Sequence, residues 1–321
     1  MNTLISIPRC GALAAAALLS CIGVSSVQAA SVYDYDVVSF GSFSSANTEV
    51  NGTLAVGGDA NVSSFGVGTS LNPGYEGPSL VVGGDLTYNN GTVSHGDVVA
   101  GGSISGSGLT VNNGTKTANG TVPIDFAAEL VRMKGVSALI SGLEANGTVS
   151  NGGGLTLTGT DAALNVFTID ASDLLVGSGL AVFIPDGSVA IINVTGASFN
   201  AAYTGGFTLN GQTISNSSAD LASSLLFNFG EAQDISISGS WAGNILAPDA
   251  SVDVKNGGFF GSLIAGDVTS SSEFYQGRFS GYGDLVPPPA VPEPATWAMM
   301  IVGFGLIGGV MRRRTRQPRF A

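Results

Sequence analysis

The single histidine of this 321-residue chain, His95, is the first candidate for catalytic chemistry. A Ser-His-Asp triad would have to use it, because that mechanism needs an imidazole as general base. Residues 94–97 read Ser-His-Gly-Asp, which is instead typical of a solvated turn. Both cysteines, Cys10 and Cys21, fall in an N-terminal segment that resembles a removable signal peptide. The sequence therefore predicts no catalytic residue and no cofactor.

Paired carboxylates are the second candidate, because glycoside cleavage uses two acids about 5–9 Å apart. Asp34 with Asp36, and Asp170 with Asp173, are close enough in sequence to be considered. Sugar-cleaving sites usually also need aromatic platforms, and Trp241 is the one tryptophan before the C-terminal apolar segment. Carboxylates on turns are the simpler interpretation, so polysaccharide hydrolysis is the least favoured function.

Three aspartates recur at equivalent positions and could bind calcium, a cation that prefers carboxylate and carbonyl oxygens. Asp59, Asp85 and Asp267 each follow a glycine, although Ser103 takes the same place in a further copy. The Gly-Gly-x-Gly-x-Asp pattern of calcium-binding repeats is absent. Aspartates also cap turn amides through their side chains, which explains the same positions. The sequence predicts no metal site and leaves these three carboxylates as the calcium candidates.

The charge of the chain excludes one class of partner. Residues 31 to 290 contain 22 acidic and five basic residues, for a net charge of −17. Nucleic-acid binding needs a basic surface to neutralise phosphates. We therefore expect no nucleic-acid partner, and an acidic surface suited to solubility outside the cell.

Internal repeats indicate how the candidate residues are positioned. The repeated pattern is three apolar residues, a glycine corner and a small polar residue. It occurs, complete or in part, at residues 54–59, 80–85, 98–103, 245–249 and 263–267. Two of the spacings, from Gly84 to Gly102 and from Ile245 to Leu263, are 18 residues, which suits one turn of a β-solenoid with three short strands.

The first spacing, from Gly58 to Gly84, is 26 residues and breaks this period. An insertion containing Asn72-Pro73-Gly74 is therefore expected to loop out of the coil. The predicted fold class is all-β, a β-solenoid with one long flanking helix.

One segment has helical rather than strand periodicity. Apolar residues recur every three or four positions from Phe126 to Leu143, which predicts an amphipathic helix over about 124–145. Gly135 costs about 1 kcal/mol inside such a helix. The expected arrangement buries the apolar stripe against the solenoid, with a partner-binding helix as the alternative.

The N-terminus has the features of an export signal. Arg9 precedes an apolar stretch from Gly11 to Val24 and small residues that suit signal peptidase, so residues 1–29 are predicted to be removed. A weak lipobox-like run before Cys21 leaves lipidation of that cysteine as an alternative.

The C-terminus has the features of a membrane-sorting segment. A proline-rich linker at 284–290 leads to Pro292, Glu293 and Pro294, followed by an apolar run at 295–311. Seventeen helical residues reach roughly 26 Å, enough for a thin hydrocarbon core. Arg312, Arg313, Arg314 and Arg316 then stay cytoplasmic, which places everything before Pro292 outside the cytoplasm.

Residues 291–316 closely resemble the PEP-CTERM sorting signal of Gram-negative bacteria. The resemblance implies export through the inner membrane, transient anchoring there, cleavage by an exosortase near the motif, and release to the outer surface or the exopolysaccharide matrix. Exosortase and signal peptidase are thus the expected partners during export.

Residues 33–283 resemble the choice-of-anchor A domain, whose members use different surface anchors. The resemblance is carried by the predicted helix and by four other segments, at residues 35–40, 54–59, 241–250 and 261–266. It implies an architecture similar to ice-binding-type β-solenoids with an adjacent helix.

These observations predict a non-enzymatic surface or matrix protein with a structural or adhesive role in biofilm or floc, and exopolysaccharide as its partner. The alternative is a solenoid that binds glycan, ice or calcium. Ice binding needs regular rows of threonine, and Thr156, Thr158 and Thr160 form the one ladder visible on a single strand. An acidic groove containing Trp241 would favour a ligand-binding or hydrolytic function, whereas a polar surface without pockets would favour the structural one.

Overall fold

The computed structural model describes residues 31–175, 179–201 and 206–285. The predicted signal peptide and sorting segment lie outside these residues, as does the predicted linker after Leu285. No helix in the described part of the chain is long and apolar enough to cross a membrane.

The described residues form short strands, two α-helices and three 3₁₀-helices. The helices are Phe126–Ser141 (α1) and Tyr282–Leu285 (α2), with 3₁₀ turns at Val32–Asp34, Asp173–Leu175 and Asn216–Ser224. The strands are Val37–Ser39 (β1), Phe43–Val50 (β2), Leu54–Val56 (β3), Ala60–Val67 (β4), Pro78–Val82 (β5), Leu86–Val93 (β6), Asp97–Ala100 (β7), Ile104–Ser105 (β8), Leu109–Val111 (β9), Lys116–Thr117 (β10), Thr148–Asn151 (β11), Leu155–Thr158 (β12), Leu164–Asp170 (β13), Leu180–Phe183 (β14), Val189–Thr195 (β15), Ser198–Ala201 (β16), Phe207–Leu209 (β17), Gln212–Thr213 (β18), Leu225–Asn228 (β19), Asp234–Ser238 (β20), Trp241–Ala242 (β21), Asn244–Lys255 (β22), Gly258–Phe260 (β23), Leu263–Ser270 (β24) and Glu273–Tyr275 (β25).

These strands build a β-solenoid with three faces, which confirms the predicted fold class. The first face is a parallel row in the order β13-β15-β19-β22-β24-β1-β3-β5-β7-β10. The second face runs β16-β20-β22-β24-β2-β4-β6-β8. The third face runs β21-β23-β25-β2-β4-β6-β9. A separate five-stranded sheet, β11-β12-β14-β17-β18, contributes residues to the same core.

The 18-residue period corresponds to the offset between paired residues on neighbouring strands of the first face. Leu80 pairs with Val98, and Ile245 pairs with Leu263, as the repeats predict. The longer first step pairs Leu54 with Leu80, and the extra residues form the turns between β4 and β5, so the expected insertion does loop out.

The apolar triplets face two ways because side chains alternate along a strand. The outer members of a triplet, such as Leu54 and Val56, point into the core of the coil. The middle member, such as Ala55 or Val81, points outward into a second apolar cluster that includes residues of α1. Both sides of the first face are therefore buried, which explains why its triplets are entirely apolar.

The glycine corners let successive coils stack closely. A Cβ added to Gly83 would lie 2.2 Å from the carbonyl oxygen of Gly57, and one added to Gly101 would lie 2.3 Å from that of Gly83. These contacts leave no room for a side chain, so the glycines are required by close approach of the backbones.

The order of the coils along the axis differs from the order of the chain. The first strand, β1, lies in the middle of the first face, between β24 and β3. From β1 the chain builds coils outward to β10, returns along α1, and builds the other half from β13 back to β24. Two halves far apart in sequence thus share one continuous core.

Helix α1 crosses the outside of the first face, as its periodicity predicts. Met133, Val136 and Ile140 are buried against the sheet. The helix is shorter than the predicted 124–145 at both ends. Asp125 caps its start by accepting a hydrogen bond from the amide of Ala128, and the helix ends at Ser141 with Gly142 as its C-cap.

The two ends of the described chain meet beside α1. Tyr33 stacks on Tyr282 with ring centroids 4.3 Å apart, and the guanidinium of Arg132 lies 4.5 Å above the Tyr33 ring. The amide of Val32 donates a hydrogen bond to Glu129 Oε2 (3.3 Å). The described chain therefore begins and ends beside α1, on the helix-covered side of the solenoid.

Candidate functional site

The second face carries an unbroken row of small polar side chains. Strand register aligns one outward-facing residue from each of eight successive coils. This polar row is Asn200, Ser236, Asp253, Thr269, Ser44, Asn61, Thr87 and Ser105. Each of these residues is exposed or half buried, whereas inward neighbours such as Phe43 and Val62 belong to the core.

The polar row is a regular array of hydrogen-bonding groups. Neighbouring strands lie about 4.8 Å apart, so eight coils extend the row over roughly 34 Å. Its members offer hydroxyl, amide and carboxylate groups and no bulky side chain. Such a surface can contact a long, repetitive, hydroxyl-rich partner. Ser44, Asn61 and Thr269 line a depression of about 350 Å³ on this face.

A column of polar corner residues borders this face. Asp59 Oδ1 accepts a hydrogen bond from the amide of Asp85 (2.8 Å). Asp85 Oδ1 accepts from both the amide and the hydroxyl of Ser103, at 2.7 and 2.9 Å. Asp267 Oδ1 accepts from the amide and hydroxyl of Ser42, both at 2.7 Å. The three calcium candidates thus cap the next coil, in the way that the turn-capping interpretation expects.

The electrostatics of this column agree with capping. The hydrogen bonds from Ser103 lower the pKa of the Asp85 carboxyl, because they stabilise its ionised form. Among the described residues no group of three or more His, Cys, Asp and Glu side chains is arranged to hold a metal ion.

His95 lies in the turn between β6 and β7, where its sequence context places it. Its Nδ1 is 3.2 Å from the side-chain amide of Asn113 in the next coil. The neighbouring Asp97 accepts hydrogen bonds from the amide and hydroxyl of Thr115, at 2.7 and 2.8 Å. All of these contacts tie one coil to the next.

In each carboxylate pair considered for hydrolysis, one member is engaged in hydrogen bonds with nearby structure. Asp36 is 2% exposed, and its Oδ2 accepts a hydrogen bond from the amide of Thr53 (2.9 Å). Burial raises the pKa of Asp36, an effect that Arg278 and Thr53 only partly offset. Asp170 Oδ1 accepts from the amide and hydroxyl of Ser172, which lowers the pKa of Asp170.

Trp241 is a core residue and forms no groove. It is 1% exposed and packs edge-on against Phe207 and Phe227, with ring centroids 5.0 and 4.8 Å away. Its indole N–H donates to the carbonyl of Gly243 (3.1 Å). The ring is therefore unable to serve as a sugar platform.

The threonine ladder on β12 lies in the small sheet. Thr156 aligns with Ala181 on β14, and Thr158 aligns with Phe183. On the other side, Thr148 of β11 pairs with Thr158, but Ser150 pairs with Thr156. The threonines are thus not repeated on β14, and the ladder does not extend into a regular threonine array over successive strands.

The sequence from residue 28 to residue 276 matches the family model of the ice-binding-like adhesive domain. The chain belongs to this family. The adhesive domain is followed by a match to the PEP-CTERM protein-sorting motif at residues 290–314, which confirms the resemblance of the C-terminal segment to that signal. The choice-of-anchor A name stays a prediction.

Two solved structures are similar to the adhesive domain. One is an ice binding protein from an Antarctic Biological Consortium, 15% identical, with a TM-score of 0.38 and coverage of 78% of this chain and 90% of that chain. The other is the ice-binding protein of the Antarctic ascomycete Antarctomyces psychrotrophicus, 15% identical, with a TM-score of 0.35 and coverage of 78% and 96%. No curated protein matches the sequence. The fold of this adhesive domain is established by its own strand register.

An adhesive domain joined to a sorting motif makes this an exported surface protein of adhesive type. The polar row was not found by sequence reasoning, although a signal for it exists. After each corner the chain alternates apolar and polar residues, as in Ala60-Asn61-Val62 and Leu86-Thr87-Tyr88. Aligning the coils at their corners would have brought these polar positions together.

Proposed function

We propose that this protein is a non-catalytic adhesin of the exopolysaccharide matrix, and that the polar row is its contact surface. The observation that carries the proposal is the row itself, eight coils of small hydrogen-bonding side chains on a face that α1 leaves uncovered. A polysaccharide repeats hydroxyl groups along its length, so many weak hydrogen bonds along the row add up to a stable attachment.

The sorting motif supports this location. In the proposed sequence of events, signal peptidase removes residues 1–29 and an exosortase cuts near Pro292, Glu293 and Pro294 after transient anchoring in the inner membrane of a Gram-negative cell. The released domain then joins the matrix of a biofilm or floc. In this proposal, export and processing are the only steps that use the apolar run at 295–311 and Arg312, Arg313 and Arg314.

The intact mass of the extracellular protein tests the processing steps. A species that lacks residues 1–29 and everything after the Pro-Glu-Pro region is expected. Recovery of the whole C-terminal segment in the membrane fraction would refute both release and matrix adhesion.

Adhesion is tested in the native host by deleting the gene and restoring it with variants of the full chain. The deletion is expected to lower matrix association and aggregation, and unchanged behaviour would contradict the proposal. The decisive variant is Asn61→Tyr/Thr87→Tyr, which puts two bulky rings on the polar row. Its matched control is Thr92→Tyr/Thr110→Tyr, two aligned positions on the third face. Only the polar-row variant is expected to lose matrix retention.

A polysaccharide fits the row better than ice does. The row mixes amide, hydroxyl and carboxylate side chains, and only two of its members are threonine. Ice recognition calls for uniform threonine rows, whereas hydroxyl-rich polymers are bound by mixed donors and acceptors.

A further inference from the structure

A cleft lies at the corner between the third and first faces, away from the polar row. Two inserted segments leave the coil at this corner, residues 68–77 after β4 and residues 210–224 after β17. The chain after β25 forms the floor between them. The cleft has a volume of about 420 Å³, and its lining includes Asn51, Ser70, Asn216, Asp220, Tyr275 and Gln276. Such a concave hollow, lined mostly by polar residue types, has the size of a ligand site.

An aromatic surface forms part of this cleft. The rings of Phe260 and Tyr275 stack with centroids 4.8 Å apart at an angle of 29°. A Cβ on Gly258 would lie 2.9 Å from Phe260 Cζ and 3.1 Å from Tyr275 Cε2, so both rings pack closely against the glycine. Both residues are half buried, and Tyr275 is one of the residues that line the cleft.

Hydrogen bonds hold Tyr275 in this orientation. Its hydroxyl donates to Glu273 Oε2 (2.8 Å), and the other oxygen of Glu273 accepts from the side-chain amide of Asn51 (3.1 Å). The carbonyl of that amide accepts from the hydroxyl of Thr69 (2.9 Å). The aromatic surface is thus fixed before any ligand arrives, which lowers the entropic cost of binding.

The charge of the cleft selects against anions. Asp220 lines it, Glu273 supports its floor, and no lysine or arginine is among its described lining residues. Glu49 lies close to Glu273, and burial together with the Glu273 charge raises the pKa of Glu49. A uronate or sulfated sugar would therefore be repelled, whereas a neutral sugar would not.

We propose that this cleft binds a segment of a neutral polysaccharide. A pyranose ring has a face of C–H groups, which suits the negative face of the Tyr275 ring, and a rim of hydroxyls. Asp220, Asn216 and Gln276 line the same cleft as Tyr275 and can accept or donate hydrogen bonds to the hydroxyls of the rim. The cleft binds a few sugar residues, whereas the polar row contacts a long stretch of the polysaccharide chain. The proposal shares only its ligand class with the proposed matrix adhesion, because it concerns another face.

Isothermal titration calorimetry of the full chain with three neutral hexasaccharides, cellohexaose, maltohexaose and laminarihexaose, tests the cleft. At least one is expected to bind, and hexagalacturonate is expected not to bind. Tyr275→Ala is expected to weaken binding at least about tenfold, since it removes the ring surface. Phe183→Ala is the matched control, because Phe183 is a 41% exposed aromatic residue on β14 and is not among the residues that line the cleft.

The cleft proposal is overturned if no neutral hexasaccharide binds, if hexagalacturonate binds equally well, or if Tyr275→Ala and Phe183→Ala bind alike. Asp220→Ala guards against a folding defect of Tyr275→Ala, since Asp220 is exposed and its loss is expected to weaken binding without unfolding the chain. The polar-row variant Asn61→Tyr/Thr87→Tyr separates the two proposals. It is expected to bind the hexasaccharide normally while it loses matrix retention.

Discussion

Asn244 Oδ1 accepts two hydrogen bonds from Ser262 in the next coil, from the amide at 2.7 Å and from the hydroxyl at 2.6 Å. The side-chain amide of Asn244 donates to the carbonyls of Ala222 and Leu225, at 2.8 and 3.0 Å. The residue is 0% exposed. One buried side chain therefore links three successive coils at the corner before the first face.

Asn244→Ala is expected to lower the free energy of unfolding by about 3 kcal/mol, because it leaves several buried donors and acceptors without partners. Chemical denaturation measures the change. Asp186→Ala is the control, since Asp186 is exposed in a turn and its loss is expected to change the free energy of unfolding by less than about 0.5 kcal/mol. Equal stability of the two variants would contradict the structural role of Asn244.

Glycine-to-alanine substitutions are expected to have opposite effects at two positions. Gly83→Ala places a Cβ 2.2 Å from a backbone oxygen and is expected to destabilise the coil severely. Gly135→Ala lies in the exposed middle of α1, where no atom is within 4 Å of the added Cβ, and is expected to stabilise by about 0.5–1 kcal/mol. Thermal unfolding of both variants distinguishes them, and a stabilised Gly83→Ala would refute the close stacking at the corner.

Asp36 is expected to make stability depend on pH. Burial raises its pKa in the folded protein above the value of about 3.9 found in unfolded chains. Between these two values the folded state binds more protons than the unfolded state, so the contribution of Asp36 to stability falls as the pH rises.

The measurement is the free energy of unfolding of the wild type minus that of Asp36→Asn, followed from about pH 4 to pH 7. This difference is expected to fall with rising pH. Asp186→Asn provides the baseline for an exposed carboxyl. A difference that stays constant or rises would show that Arg278, whose Nε lies 3.6 Å from Asp36 Oδ1, compensates the buried charge.

The attachment of α1 is expected to depend on Asn228. The side-chain carbonyl of Asn228 accepts from the hydroxyl of Ser137 (2.6 Å), and its amide donates to the Ser137 carbonyl (3.1 Å) and the Asn193 side chain (3.0 Å). Asn228→Ala is expected to cost about 2–3 kcal/mol and to speed hydrogen exchange across α1 more than across β4. Uniform exchange in both elements would mean that apolar packing alone holds the helix.

The coil and the helix could be predicted from the sequence because each has a simple period. The triplets at Leu80 and Val98 repeat at 18 residues, and the stripe from Phe126 to Leu143 repeats at three or four. Residues such as Leu54 and Leu80 are 26 apart, yet they pair directly, because corner glycines mark the alignment despite the insertion.

The path of the chain and the polar row could not be predicted in the same way. Val37 pairs with Leu263, which lies in a distant segment of the chain. No local sequence pattern in either segment indicates that these two strands pair. The row needs each coil to be aligned with the next, and insertions shift that alignment, as between Asn61 and Thr87. The cleft beside Tyr275 depends on two insertions that happen to leave at one corner, which only the three-dimensional path brings together.

The central position of β1 has a consequence for the timing of assembly. A chain that crosses a membrane from its N-terminus presents β1 early, but β24, which pairs with Val37 and Val38, emerges only after more than two hundred further residues. Until β24 has emerged, the edge of β1 that pairs with it has no partner strand. The last pieces to arrive, β24 and β25, also directly precede the segment that leads to the sorting motif. The domain can therefore close only once nearly the whole adhesive domain has been exported, when its last strands become available for pairing.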